Sequence, residues 1–269
     1  MDRLEGLTPQ EQAACGIAER VLNAVATAWD VNGRCGAVDA MLALPDGRTA
    51  AFEVTAHAAE GALQTDSLLQ RDDYSWPLPG RWWWTIRIGA PSDVPRLRAA
   101  YVKVVLACEA AGVEDPRELW RSGETDPDLR WLVRNSASSM VGHSSVPAAD
   151  GSKVRAAMVM PSGRGGFIAG SLTRLRVALE DAFSASHFPR HFEKLTRADA
   201  DERHLFVPLH WTALPFDVAH NLSQTDDLPP PEPPPIPEAI SHLWLAPDLS
   251  RRVLLWGPDG WSSHKPYDH

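Results

Sequence analysis

The chain of 269 residues has only three cysteines, Cys15, Cys35 and Cys108, widely spaced and in no Cys-x-x-Cys pair. That excludes a disulfide-stapled scaffold and a zinc ribbon. No apolar run approaches the roughly 18 residues of a membrane span. The opening MDRLEGLTPQEQ lacks the basic-then-apolar order of a secretion signal. Lysine is scarce: Lys103, Lys153, Lys194 and Lys265 are the only ones, and arginine supplies the rest of the 26 basic side chains. Also missing are His-Glu-x-x-His, Gly-x-Ser-x-Gly and a phosphate-binding P-loop. These absences predict a soluble, cytoplasmic protein with no membrane partner and no zinc-peptidase or serine-hydrolase chemistry.

Hydrophobic residues make up 44% of the chain and charged residues 23%, enough to bury a substantial core. The net charge of −9 argues against a general coat for polyanions. The charge is uneven, however. Residues 1–80 carry five basic and twelve acidic side chains, 81–176 fourteen and nine, and 177–269 seven and fourteen. A basic middle between acidic flanks can hold an anionic ligand, or be a set of solvated helix faces. The eleven tryptophans are scattered through apolar runs, which reads as core.

Thr8-Pro9-Gln10-Glu11 combines a cap, a first-turn proline and a capping box, and the apolar stripe Ile17, Val21, Val25, Ala28 predicts a helix over 9–29. Asn32-Gly33 should end it. Two strand-like runs, 37–44 and 48–57, flank Pro45-Asp46-Gly47, which is hairpin chemistry. A short helix is expected over 58–71, a buried strand at 81–88 (RWWWTIRI), an amphipathic helix at 93–111 and a basic helical stretch through 131–134. Strands follow at 153–160 and 203–209, with a helix from Ser171 to about Phe183 between them. LPPPEPPPIP at 228–237 is a stiff polyproline segment, a spacer or a ligand for a protein partner's aromatic groove. HLWLA and RRVLLW then suggest a final hairpin. The expected division is a body over 1–225 and a linker with a hairpin over 226–269 that packs back on it.

The most informative segment is VDAMLALPDGRTAAFEVTAH at 38–57. Closing the hairpin with Leu44 opposite Arg48 sets Asp39 directly across from Glu53, unless a bulge shifts the register. Opposed like charges are destabilising in a sheet, the more so among Val, Met, Leu, Ala and Phe. The pair makes sense around a hard divalent cation, for which carboxylates, a backbone carbonyl and water are suitable ligands. The alternative places one acid at a solvated edge and pairs the other with an arginine.

An acid on one strand, a turn, and an acid-x-residue triplet on the next strand resembles the PD-(D/E)XK superfamily of restriction-endonuclease-like nucleases. The resemblance covers about residues 9–90. It implies an α/β fold, a restriction-endonuclease-like mixed sheet flanked by helices, here with a C-terminal β-hairpin extension. It further implies Mg²⁺ or Mn²⁺ as cofactor, nucleic acid as partner and phosphodiester cleavage as activity, or else an inactive nuclease-fold scaffold that binds nucleic acid or a protein. Asp39 matches the family's metal-binding aspartate, Glu53 its second ligand, and Val54 would contribute a backbone carbonyl. Thr55 stands where the family has lysine, and threonine supplies a hydrogen bond but no charge. A displaced cation can substitute, with Lys103, Lys153 and Lys194 as candidates, Lys265 as a remote one and arginine as a further one. His57, two residues on along the same face, is a candidate for orienting water. Glu19, on the first helix, corresponds to a third acid in some members, but its stripe points it outward. Gln64 and Gln70 fall where members sometimes use glutamine, though surface helix positions suffice to explain them.

Other signals are weaker. SGRGGFIAGS at 162–171 leads into a helix and reads as a turn with a cap, while Arg174 and Arg176 just beyond it are candidate contacts to a nucleic-acid backbone, as is Lys194. His187, His191 and Glu193 approach metal-ligand spacing, but Pro189 interrupts the helix that would align the histidines, so no metal is expected there.

Overall fold

Thr8 starts the first helix as its neighbours dictate. Its hydroxyl accepts from the Glu11 amide and the Glu11 carboxylate accepts from the Thr8 amide. In this computed structural model, which describes residues 3–30, 36–123, 125–147, 156–163, 171–224, 229–248 and 250–267, helix α1 (Pro9–Leu22) is shorter than its apolar stripe suggests. Asn23 turns left-handed with φ of 52°, and the chain enters strand β1 (Val25–Ala28), burying Ala26 and Ala28 and exposing Val25 and Thr27. Over four residues a helical and a strand period pick out overlapping positions, so the stripe alone does not separate them. Glu19 secures this turn. Its carboxylate accepts from the Ala26 amide at 2.8 Å and pairs with Arg3, so it is a structural acid.

The described residues continue through β2 (Ala40–Ala43), β3 (Thr49–Val54), α2 (Ala62–Gln70), β4 (Ser75–Pro77), β5 (Trp82–Ile88), α3 (Val94–Ala111), α4 (Pro116–Arg121) and α5 (Pro127–Arg134). Then come β6 (Ser139–Pro147), β7 (Ala156–Pro161), α6 (Leu175–Phe183), α7 (Phe188–Arg197), β8 (Glu202–Leu209), α8 (Phe216–Gln224), β9 (His242–Pro247), β10 (Val253–Gly257) and β11 (Gly260–His264). Among these residues no helix is long and apolar enough to cross a membrane.

The chain divides into two compact units: residues 1–58 with 164–269, and residues 59–163. The first holds a seven-stranded mixed sheet in the order β1-β2-β3-β8-β9-β10-β11. Its β3, β8 and β9 run parallel and the other neighbours antiparallel. Phe52, Phe206 and Trp244 project from one face into a core with Ala14, Ile17 and Ala18 of α1. Ala51, Leu205, Val207 and Leu243 project from the other into a core with Leu179 of α6, Phe188 and Leu195 of α7, and Val218 of α8. The second unit has a four-stranded mixed sheet, β4-β7-β5-β6, whose Trp84, Ile86 and Ile88 pack on Leu97, Val104 and Val105 of α3. The Glu109 carboxylate ties α3 to this sheet, accepting from the amides of Arg81 and Trp82 and from the Trp84 indole.

This division departs from the sequence expectation in two ways. The run at 81–88 is a strand, but it lies in the second unit's sheet, and the place beside β3 goes to β8 from much later in the chain. Periodicity identifies a strand without saying which sheet it joins. The expected C-terminal hairpin of HLWLA and RRVLLW forms, as antiparallel β9 and β10, but it is part of the sheet and not an extension of it. β9 pairs in parallel with β8 and is followed by two antiparallel strands, so 242–264 completes the first sheet. The proline segment is held to the same unit, since Arg176 donates to the Pro233 carbonyl and the Trp261 indole to that of Glu232.

Phe52, Phe206 and Trp244 form one aromatic cluster, with ring centroids 5.7, 5.9 and 6.5 Å apart. Phe206→Ala is expected to cost about 3–5 kcal/mol, read as a lowered midpoint in urea unfolding followed by tryptophan fluorescence.

Candidate active site

The Pro45-Asp46-Gly47 turn fixes the register on which the site depends. Gly47 has φ of 89°, Leu44 donates to the Arg48 carbonyl at 2.9 Å, and Ala40 lies opposite Phe52. One residue further, Asp39 and Glu53 meet and hold each other's backbone. The Asp39 amide donates to Glu53 Oε2 at 3.2 Å and the Val54 amide to Asp39 Oδ2 at 2.7 Å. Glu53 is fully buried and Asp39 nearly so, at 8% exposure. In an extended strand a residue's amide and carbonyl point to the same edge, so the Val54 carbonyl faces the Asp39 side.

A third element closes the cluster. Helix α7 rests Phe188 and Leu195 in the core beneath it, which turns His191 and Lys194, three residues apart, onto the two acids. Lys194 Nζ lies 2.9 Å from Glu53 Oε1 and 3.9 Å from both Asp39 Oδ1 and Asp30 Oδ2. His191 Nδ1 lies 2.6 Å from the same Glu53 oxygen. That oxygen accepts, so Nδ1 carries the proton and Nε2, 3.4 Å from Arg190 Nε, is the acceptor. Burial, followed by the charge of Glu53, pushes the Asp39 carboxyl up to about 7 despite the Val54 hydrogen bond and Lys194. Burial works against the Lys194 charge, but the Glu53 hydrogen bond and the charges of Glu53, Asp39 and Asp30 outweigh it and raise its pKa.

The structure thus brings together Asp39, Glu53, the Val54 backbone and Lys194 of the residues singled out in the sequence. Thr55 is buried just beyond β3, its amide donating to Phe206. The His57 ring packs on His187 and Phe188, centroids 6.0 and 5.5 Å away, at the start of α7. Arg174 pairs with Asp217, and Arg176 with Glu180 and the Pro233 carbonyl, so both serve the fold of the first unit. Gln64 and Gln70 belong to the second unit. Residues 164–170 of the glycine-rich run, and Asn32-Gly33, lie outside the described residues. Cys15 and Cys108 are buried, their thiols pushed up to about 12 chiefly by desolvation, the opposite of an activated nucleophile.

The sequence does not place His191 or Asp30 beside the two acids. The signal that the sequence holds for His191 in this cluster is its spacing of three from a rare lysine, Lys194. Asp30 follows β1, a strand that the sequence hid inside a helix.

A second polar cluster lies on the opposite face. Paired positions in parallel strands share a face, so His204 and His242 align with Phe52, not with Glu53. Ligand atoms of Glu202, His204 and His242 lie within 4.8 Å of one another, close enough for a metal ion. The hydrogen bonds assign the protons differently. The Trp244 indole, which only donates, points at His204 Nδ1 at 3.1 Å. His204 Nε2 must then carry the proton and donate to Glu202 at 2.8 Å, with Arg48 on the other Glu202 oxygen at 2.6 Å. A cation on Nε2 would have to displace that proton to a nitrogen already facing a donor. Burial lowers both histidines, His242 to about 4.

The chain matches no family model, no curated protein and no solved structure.

Two pH effects of opposite sign follow for the metal-free protein. A carboxyl raised to about 7 keeps a proton in the folded chain that the unfolded chain has lost, so ionised Asp39 costs stability above pH 7 and the cost vanishes as pH falls to 4. Asp39→Asn should therefore stabilise the protein at pH 8, by at most about 4 kcal/mol, and by little at pH 4; urea unfolding at the two pH values checks it. His242, lowered from 6.5 to about 4, contributes stability that is present above pH 6.5 and lost as pH falls through 4. His242→Gln should flatten the acid limb of a plot of thermal midpoint against pH.

Proposed function

We propose that the first unit is a divalent-cation-dependent phosphodiesterase acting on nucleic acid, with a restriction-endonuclease-like arrangement of residues. The observation that carries this reading is the Lys194 ammonium, 2.9 Å from Glu53 within a pair of opposed, buried acids. The nuclease-like triplet lacks its lysine at Thr55, and a cation from α7 offers the missing charge at the same carboxylates. The donor set suits a hard cation: Asp39 Oδ1, Glu53 Oε1 and the Val54 carbonyl are all oxygens. Such an ion, when bound, would supply Lewis-acid stabilisation of a phosphate and an activated water. Lys194 would offset negative charge on the phosphoryl oxygens. His191 would fix the Glu53 carboxylate through Nδ1, and Thr55 can hydrogen-bond a water from the same face.

A second reading is favoured by the same distances. Lys194 already neutralises the acids, which is also how a catalytically inactive nuclease-fold scaffold, binding nucleic acid or a partner protein, would keep its relic pair buried.

Labelled DNA and RNA, single- and double-stranded, incubated with the protein in Mn²⁺ and then Mg²⁺ separate the two. The nuclease reading expects metal-dependent cleavage that is lost in Asp39→Ala and Glu53→Ala and reduced roughly 10²–10³-fold in Lys194→Met. Calorimetry should give Mn²⁺ binding in the wild type and none in Glu53→Ala. No cleavage and no Mn²⁺ heat would leave the scaffold.

A further inference from the structure

In the second unit, α4 and α5 border an open groove of about 640 Å³ lined by Arg117, Trp120, Arg121, Thr125, Val133 and Arg134. The three arginines are exposed, and the Arg134 guanidinium lies 5.8 Å from the centroid of the half-buried Trp120 ring. Arg130, one helical turn before Arg134, is exposed beside them.

The rest of this unit's charge is arranged differently. Arg98 pairs with Asp72, Lys103 with Asp126 and Asp128, and Arg96 with Asp128 while stacking on Trp131. The acids at the start of α5 are thus committed to α3, and Asp115 caps α4 by accepting from the Arg117 amide. Among the described residues, no acidic side chain forms an ion pair with Arg117, Arg121, Arg130 or Arg134. Glu118, exposed in α4, and Glu124, which lies outside the described residues, are acids three residues either side of Arg121. The three guanidiniums that line the groove, none of them in an ion pair among the described residues, surround the Trp120 indole and concentrate positive charge on a chain of net −9.

We propose that this groove binds a single-stranded segment of nucleic acid, the arginines holding phosphates and Trp120 offering a face on which a base stacks. The inference deepens the nuclease reading, from which it takes nucleic acid as the ligand. Guanidiniums match phosphate oxygens in bidentate geometry. Aromatic floors inside basic grooves bind unpaired bases, which present their rings, and not a duplex, which buries them.

The test uses the full-length protein in EDTA, so that binding is read without cleavage. Fluorescence anisotropy follows a labelled single-stranded oligothymidylate and a duplex of equal length at several salt concentrations. Wild type should prefer the single strand. Arg121→Ala/Arg134→Ala should make the slope of log affinity against log salt shallower by about 1.4, two phosphate contacts at roughly 0.7 each. Trp120→Ala should weaken single-strand binding by roughly 5–150-fold and leave the slope unchanged. Both arginines are exposed, so the double variant remains informative if loss of Trp120 perturbs folding. An unchanged salt slope in the double variant, a preference for duplex, or no binding by wild type would each overturn the proposal. The two readings fail separately: binding that follows these variants without any metal-dependent cleavage removes the nuclease, and cleavage with binding indifferent to them removes the groove.

Discussion

Two carboxylates face each other across a hairpin walled by alanine, valine and phenylalanine, and like charges so placed cannot both stay ionised without help. Much of the first unit's interior is arranged around that constraint. One oxygen of each acid is taken by the other strand's amide, which orients the remaining oxygens toward α7. The helix answers with an ammonium and an imidazole N–H on the same Glu53 oxygen. The raised pKa of Asp39 is what this compensation leaves unpaid.

Topology explains how a helix so distant in sequence reaches the pair. β8 lies parallel to β3, with Glu53 beside Leu205. Parallel neighbours need a crossover, usually helical, and here α7 immediately precedes β8. It covers the sheet face on which Glu53 projects, and its apolar residues Phe188 and Leu195 fix its rotation. Once those two are buried, His191 and Lys194 have little choice of direction.

The sheet's other face holds the same residue types in a different state. Glu202, His204 and His242 also combine a carboxylate with imidazoles, yet there the Trp244 indole fixes the His204 proton and Arg48 holds the second Glu202 oxygen. A satisfied network rigidifies a core. The Asp39–Glu53 cluster differs because the Lys194 ammonium and the His191 N–H converge on one Glu53 oxygen while the Asp39 carboxyl stays raised by burial and by Glu53.

Much of this was legible in the residues themselves. The Pro-Asp-Gly turn dictates the register because a glycine at positive φ and an alternating hairpin leave one closure that buries the apolar face. From that register Asp39 and Glu53 follow without any tertiary information, as do the capping box of α1 and the strand at 81–88. What the sequence could not decide was partnership. Whether β5 or β8 lies beside β3, whether 242–264 is an appendage or part of the sheet, and which of four lysines meets the acids all depend on contacts between segments far apart in the chain. Local periodicity reports which face of an element is apolar; only tertiary packing decides what that face meets, and it is packing that delivers Lys194 and His191 to Glu53.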